Sequence, residues 1–314
     1  MKHVLLVWFA IIAMLTSSIA WAATCTASNG TVNLGTLSSF AAASPSTSTQ
    51  GSTGFKCTGN SSSLSSTNTI DATLNTNSNA LGTTPRLRNA EAGAYLPYAI
   101  CADASCGTIY NLGSTVKWNA STVTGLLSLF TAPGGALPLY VRPEAGIQLP
   151  KGIYTDTINV GWSWSVCSQE ILGLCHNETK SDAKAINVTL EVLNDCFIDS
   201  APDLSFGSAA LISAFTPVTQ NVQVRCTPQA TYSVGFDMGN NPADGWRRML
   251  SGANALQYNI YIPDTSTVWN TTTMVVGTGN GAAQLIPYRA IINPAQNNVP
   301  AGGYTDTVRM ILSY

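Results

Sequence analysis

Three sets of residues in this 314-residue chain have types and spacings that bear on chemistry: eight cysteines, two aspartates in a recurring motif, and two histidines. Cys25 and Cys57 lie about thirty residues apart, as do Cys196 and Cys226, while Cys101 with Cys106 and Cys167 with Cys175 are local pairs. In an exported chain, an even number of cysteines reads as a disulfide framework. Eight admit on the order of a hundred connectivities; the spacing narrows the choice, and the expected pairs are Cys25–Cys57, Cys101–Cys106, Cys167–Cys175 and Cys196–Cys226. Each wide pair closes a loop worth roughly 3–4 kcal/mol on a chain-entropy account. Metal binding fits poorly, because there is no Cys-x-x-Cys, His3 falls in a leader segment and His176 is left alone. Asp156 and Asp306 stand in Gly152-Ile-Tyr-Thr-Asp-Thr157 and Gly303-Tyr-Thr-Asp-Thr307. Flanked by threonines in a strand, each reads as a hydrogen-bonded structural carboxylate. No nucleophile with a base partner and no glycine-rich phosphate loop is visible. The expectation is no catalytic residue, no metal and no cofactor.

The elements that position these residues begin after a leader. Met1-Lys2-His3 is a short basic start, Val4 to Ala20 is apolar, and Ala20-Trp21-Ala22 is a small-x-small cleavage signal. Residues 1–22 are therefore expected to be a signal peptide, with a mature start at about Ala23. No other stretch is long and apolar enough to span a bilayer. Only 10% of residues are charged and the formal net charge is −2. No basic patch for nucleic acid is present. Abundant Thr, Ser, Asn and Gly favour strands and turns over helices.

The chain repeats itself. Cys25 leads to Val32-Asn-Leu-Gly35, and Cys196 leads to Asp203-Leu-Ser-Phe-Gly207. Phe55-Lys-Cys-Thr58 matches Val224-Arg-Cys-Thr227, and Tyr95 to Ile100 matches Ala255 to Ile260. Turn residues punctuate these runs in the manner of a sandwich. The predicted fold is all-β: two Ig-like β-sandwich domains over 23–193 and 194–314.

After each repeated motif runs an alternating strand. Ile158, Val160, Trp162, Trp164 and Val166 share one parity in the first copy, as do Val308, Met310, Leu312 and Tyr314 in the second. Period-2 alternation puts one face in the core. The first copy then passes through a cysteine-bounded loop, 167 to about 184, into a further alternating strand with Ile186, Val188, Leu190 and Val192 inward. The second copy has no counterpart, so its sandwich is expected to lack its last strand. An unpaired edge over an open apolar groove aggregates unless capped. Four inward side chains supplied by a partner strand would each contribute about 1.5–3 kcal/mol. Addition of such a strand is β-augmentation.

The leading Cys, the Cys-Thr about thirty residues on and the terminal Gly-x-Tyr-Thr-Asp-Thr strand resemble the spore coat protein U domain family, twice over nearly the whole mature chain. That domain builds subunits of Csu-type (archaic) chaperone–usher pili. The resemblance implies a periplasmic pilus chaperone, an outer-membrane usher and an adjacent pilin subunit as partners. Val308, Met310, Leu312 and Tyr314 would line the groove for chaperone and donor strand. Ile186, Val188, Leu190 and Val192 would be a donor strand fused in cis. Cleavage near Ala23 would leave about two residues before Cys25, too few for a donor extension, so the match is to the two-domain tip adhesin of such pili. The expected route is through the periplasm to the cell surface.

Strand direction places three segments at the distal tip. They carry Leu64, then Leu126, Leu127, Leu129 and Phe130, then Ile171, Leu172 and Leu174. Between Tyr110 and Pro138 the first copy is about ten residues longer than the second between Trp269 and Pro287, and added loop is where binding is added. These residues are expected to contact an abiotic or host surface, with adhesion and biofilm formation as the outcome. Two alternatives stand beside this one. One is a glycan-binding pilus lectin using Trp118, Trp162, Trp164, Trp246 or Trp269. The other is a secreted spore-coat-type structural protein without a pilus.

Overall fold

The computed structural model describes residues 24–44, 47–58, 68–119, 136–171 and 174–314. The first half contains β1 (Thr24–Ala27), β2 (Gly30–Ser38), the short helix α1 (Ser39–Ala43), β3 (Thr49–Thr58), β4 (Thr69–Leu74), β5 (Arg86–Asn89), β6 (Ala94–Cys101), β7 (Ile109–Tyr110), β8 (Thr115–Asn119), β9 (Ala136–Pro143), β10 (Gly152–Ile171) and β11 (Leu174–Leu193). The second half contains β12 (Cys196–Ser200), β13 (Val218–Cys226), β14 (Thr231–Phe236), β15 (Arg247–Ser251), β16 (Asn254–Tyr261), β17 (Val275–Thr278), β18 (Ala283–Ile292) and β19 (Met310–Ser313). The molecule is almost entirely β, built of Ig-like sandwiches.

In the first half the strands follow the order β11-β2-β3-β9-β6-β5-β10-β4-β8, and β10 also pairs with β11. Strand β11 therefore closes the structure on itself: it runs antiparallel to β10 and parallel to β2. Ile186, Val188, Leu190 and Val192 on β11 are all buried. They meet Tyr154, Ile158, Val160, Trp162 and Trp164 of β10 in one apolar cluster. Phe55 stacks on Trp162 with ring centroids 4.6 Å apart and meets Trp164 edge-on at 5.3 Å.

The second half repeats much of this arrangement, but without strands in the places of β2 and β11 among the described residues. It splits into a five-stranded sheet, β12-β13-β18-β16-β15, and a three-stranded sheet, β17-β14-β19. Among the described residues β19 pairs only with β14, from Phe236 opposite Met310 to Ser233 opposite Ser313. Residues 203–207, which occupy the place of β2 in the repeat, belong to no strand. Its core is a separate cluster around Trp269, Tyr288, Val234 and Phe236.

The four disulfides join Cys25 to Cys57, Cys101 to Cys106, Cys167 to Cys175 and Cys196 to Cys226. The two wide ones tie corresponding strand pairs, β1 to β3 and β12 to β13.

The repeated motif is a pair of tyrosine corners. Tyr154 Oη donates to the Pro150 carbonyl at 2.9 Å, and Tyr304 Oη donates to the Pro300 carbonyl at 2.8 Å. This device pins the chain where it crosses between sheets. Asp156 is buried and accepts from Tyr98 Oη at 2.8 Å, Asn79 Nδ2 at 3.0 Å and Asn77 Nδ2 at 3.0 and 3.1 Å. Asp306 accepts from Tyr258 Oη, also at 2.8 Å, and from the Asn240 amide at 3.0 Å. Burial first, and then the adjacent carboxylate, push the Tyr98 and Tyr258 phenols far above the ordinary tyrosine range. The structural partner of Gly152 is Gly302, one residue before the glycine that the sequence motif aligns. A Cβ on Gly152 would sit 2.5 Å from Asn89 Nδ2, and one on Gly302 would sit 2.8 Å from Ser251 Oγ, whereas Gly303 has open space.

Only Asn194 and Asp195 lie between β11 and β12. At this joint Phe40 of α1 packs edge-on against Phe197 at 5.2 Å. The Arg225 guanidinium lies 5.4 and 5.6 Å from those two rings and 2.9 Å from Asp199 Oδ1.

Candidate functional site

Two places present unfinished or projecting structure, one in each half. The first is the outer edge of β19. Tyr154, Asp156, Ile158, Val160, Trp162 and Trp164 on β10 have as their counterparts Tyr304, Asp306, Val308, Met310, Leu312 and Tyr314. Every member of the first set is buried, with Tyr154 and Ile158 at 0% exposure. In the second set Tyr304 through Leu312 are only half-buried, and Tyr314 is 58% exposed. Parity is the same and the motif is the same, so the difference comes from the absent neighbour. On β10 that neighbour is β11, which covers these side chains and takes up the backbone hydrogen bonds from Gly152 to Ile171.

A groove of 530 Å³ opens between residues 204–215 and 298–304, lined by Leu204, Phe206, Phe215, Met249, Val299 and Tyr304. All six are partly buried side chains packed on the second core. The place of Val32 on β2, buried in the first half, falls to Leu204 here, which is only half-buried. Apolar side chains and polar groups share its lining, and its walls are residues 204–215 on one side and 298–304, just ahead of the β19 segment, on the other. These are the features of a seat for an extended apolar strand.

The second place is the end of the first half farthest from the β11–β12 joint. Strand β10 is antiparallel to β11 and β4, and β8 is antiparallel to β4. Ser165, Thr69 and Asn119 therefore stand side by side at one end of the sheet. The Cys167 amide donates to Asn68 Oδ1 at 2.9 Å at the same end. Strand β3 runs parallel to β10 and brings Phe55 against Trp164, with Lys56 opposite Ala136. The described residues flanking 59–67, 120–135 and 172–173 thus gather at this one end.

The segment from 167 to about 184, expected as a disulfide-pinned loop, is instead a β ribbon. Strands β10 and β11 remain paired to Ile171 opposite Leu174, with one register shift between Cys167 and Gln169. The ladder with β4 stops at Ser165, so the ribbon extends about six residues beyond the sheet, roughly 20 Å at the rise of a strand. Backbone pairing between the two arms carries the ladder past Ser165, and Cys167–Cys175 joins them covalently. Leu64, Leu126, Leu127, Leu129, Phe130 and Leu172 lie outside the described residues. Ile171 and Leu174 are the last pair of the ribbon's backbone ladder.

The tryptophans weighed for sugar stacking are mostly interior. Trp162, Trp164 and Trp269 are buried. Trp269 Nε1 donates to the Val234 carbonyl at 2.6 Å, and Trp118 packs on the Trp162 ring at 6.3 Å. No cluster of three or more metal-ligating side chains occurs among the described residues. Sequence reading missed the anchoring of β19 by Asp237 and Arg309. It also missed the wholly buried Arg247, whose guanidinium donates to the carbonyls of Trp269, Asp237 and Phe236 at 2.7, 2.8 and 3.3 Å. Burial holds this guanidinium below the ordinary arginine range.

Fold and open edge together define a class: a two-part β-sandwich subunit, closed in its first part and incomplete in its second. The chain belongs to the Spore Coat Protein U domain family, whose model matches residues 11–161 and again 182–311. It is similar to a chain in the crystal structure of the CsuC–CsuE chaperone–tip adhesion subunit pre-assembly complex, from archaic chaperone–usher Csu pili of Acinetobacter baumannii. Identity is 25% over 93% of this chain and 100% of that chain, with a TM-score of 0.59. CfaE, the adhesive subunit of CFA/I fimbria of enterotoxigenic Escherichia coli, is 10% identical over 91% of this chain and 92% of that one; the TM-score of 0.36 is too low to bear on function. No curated protein matches the chain.

Proposed function

We propose that this chain is the tip subunit of an archaic chaperone–usher pilus. Residues 194–314 form an incomplete pilin domain that accepts a strand, and residues 23–193 form an adhesin domain completed in cis by β11. The observation that carries the reading is the contrast between β10 and β19. Equivalent side chains are buried where β11 lies beside them and half-exposed where no strand does. A periplasmic chaperone first pairs with the open edge along Val308, Met310 and Leu312, and an adjacent pilin strand then replaces it at the outer-membrane usher. Similarity to a chain of a chaperone–tip adhesion subunit complex supports this order of partners.

The gathered end of the first half is the adhesive end. Contact with an apolar surface or receptor is assigned to Ile171, Leu172 and Leu174, on a β10–β11 ribbon stiffened by Cys167–Cys175, together with Leu64, Leu126, Leu127, Leu129 and Phe130. Constraining the ribbon lowers the entropy lost on contact. Adhesion and biofilm formation at the cell surface, after export behind a signal peptide of residues 1–22, complete the reading. It is a non-catalytic role.

Co-purification from the periplasm tests it. The chaperone encoded with this protein should be retained by the wild type and lost when Val308, Met310 and Leu312 are all replaced by Ser. A stable, soluble monomer that ignores the chaperone overturns the strand-acceptor role. Replacement of Ile171, Leu172 and Leu174 by Ser should leave pili assembled and abolish attachment. Unchanged attachment removes the ribbon from the adhesive site.

A further inference from the structure

The first 224 residues contain three arginines, Arg86, Arg88 and Arg142, and all three stand on one outer sheet face. Arg86 pairs across the ladder with Pro97, Arg88 with Tyr95, and Arg142 with Ala99. The side chains of neighbours on these strands, Leu87, Leu96, Tyr98 and Val141, are buried. Alternation therefore directs the arginines, Tyr95, Pro97 and Ala99 outward together. Three strands far apart in sequence bring the charges to one patch.

Two of the guanidiniums are held, yet they are not neutralised. That of Arg86 lies 4.2 Å from the Tyr95 ring centroid and that of Arg88 lies 5.9 Å from it. Arg86 Nε donates to the Asn79 carbonyl at 2.7 Å, which orients its fork. None of the three forms an ion pair among the described residues, whereas Lys117, Lys180, Lys184, Arg225 and Arg309 all do. Two acids stand nearby, Glu91 on the β5–β6 turn and Glu144 beyond β9, and neither closes on an arginine. Between Arg142 and the β5–β6 ladder lies an open pocket of 320 Å³ walled by Pro85, Pro97, Ile109, Pro143 and Tyr110. Ile109 is 50% exposed. Planar guanidinium forks match carboxylates bidentately. Flat proline and aromatic walls suit the faces of sugar rings, much as aromatic platforms suit other flat ligands.

We propose that the outer face of β5, β6 and β9 binds a carboxylated polysaccharide, a chain of uronic-acid-type sugars. Arg88 and Arg142 engage successive carboxylates while Pro97 and Tyr95 support the rings. This face lies on neither the β19 groove nor the ribbon end, so it is independent of the tip-subunit reading.

The test is binding of the full chain, purified from the periplasm, to polygalacturonate, with neutral dextran and duplex DNA as comparisons. Arg88→Gln with Arg142→Gln removes two charges at outward positions without touching the core. The expected results are binding to polygalacturonate that weakens with salt, little binding to dextran, and a loss of about tenfold or more in the double variant. A Lys117→Gln, Lys180→Gln control should bind as wild type. No binding by the wild type, equal binding to dextran, tighter binding to DNA, or an unaffected double variant would each overturn the proposal. Thermal melting of the double variant equal to wild type shows that a loss is not unfolding.

Discussion

Asp237 holds Arg309 twice: the Arg309 amide donates to Asp237 Oδ1 at 2.9 Å, and the guanidinium reaches Oδ2 at 3.3 Å. The Asp237 amide in turn donates to the Arg309 carbonyl at 2.9 Å. Asp237 follows β14 directly and Arg309 immediately precedes β19, so this clasp fixes where the unsupported edge strand enters its sheet.

The clasp is pH-sensitive. Burial pushes the Asp237 carboxyl up, but the Arg309 and Gly239 amides and the Arg309 guanidinium outweigh it and hold it below the usual range. A depressed folded value means that the stabilisation is present above the unfolded value of about 3.9 and is lost as pH falls through the folded value. The exposed arginine limits the ion pair to at most about 1 kcal/mol. Asp237→Asn should therefore lower the melting temperature at pH 7, by a margin that shrinks as the pH is taken down below the ordinary carboxylate range. A margin that does not change with pH contradicts the assignment.

Supplying the absent strand in cis should stabilise the second half. A short Gly/Ser linker followed by a copy of residues 184–193 fused after Tyr314 would place four apolar side chains in the groove. At about 1.5–3 kcal/mol each before ordering costs, the melting transition of the second half should rise by on the order of 10 °C. A fusion with Ile186, Val188, Leu190 and Val192 changed to Ser should give no rise in calorimetry.

Asp156 is a structural acceptor. Asp156→Ala leaves the buried Tyr98 hydroxyl without a partner, at a cost of about 1–3 kcal/mol, measurable by urea denaturation. Asp306→Ala should cost less, because Asp306 is half-buried and water can replace part of it.

The disulfides should divide by role. Removing Cys196–Cys226, which closes a long loop at the base of the second half, should cost about 2–5 kcal/mol. Removing Cys167–Cys175, beyond the end of the β4 ladder, should leave the main melting transition near its wild-type value while limited proteolysis begins to cut the ribbon.

Much of the fold is legible in local pattern. The alternation from Ile158 to Val166 and from Ile186 to Val192 marks two strands with one buried face each, because side-chain period alone sets the face. Cysteine spacing picks out four pairs, and the structure joins those residues. The recurring Tyr-Thr-Asp-Thr marks a duplicated corner. Counting back from Tyr154 and Tyr304 matches Gly152 with Gly302, one residue before Gly303, and a Cβ at either would crowd a side chain far away in sequence, Asn89 or Ser251. The ribbon is not legible in the sequence, because the period-2 alternation that marks Ile158 to Val166 does not continue through Ser168-Gln-Glu-Ile171.

Sequence by itself determined the duplication, the strand faces and the likeness to the spore coat protein U family, since these rest on periodicity and short-range spacing. Tertiary structure decided what stands beside each strand. It placed β11 between β10 and β2 and left β19 with one partner. It set Asp237 against Arg309 and gathered Arg86, Arg88 and Arg142 on one face. Those relations join residues tens of positions apart, and local pattern cannot carry them: they depend on which backbone edges find partners and which apolar faces are covered.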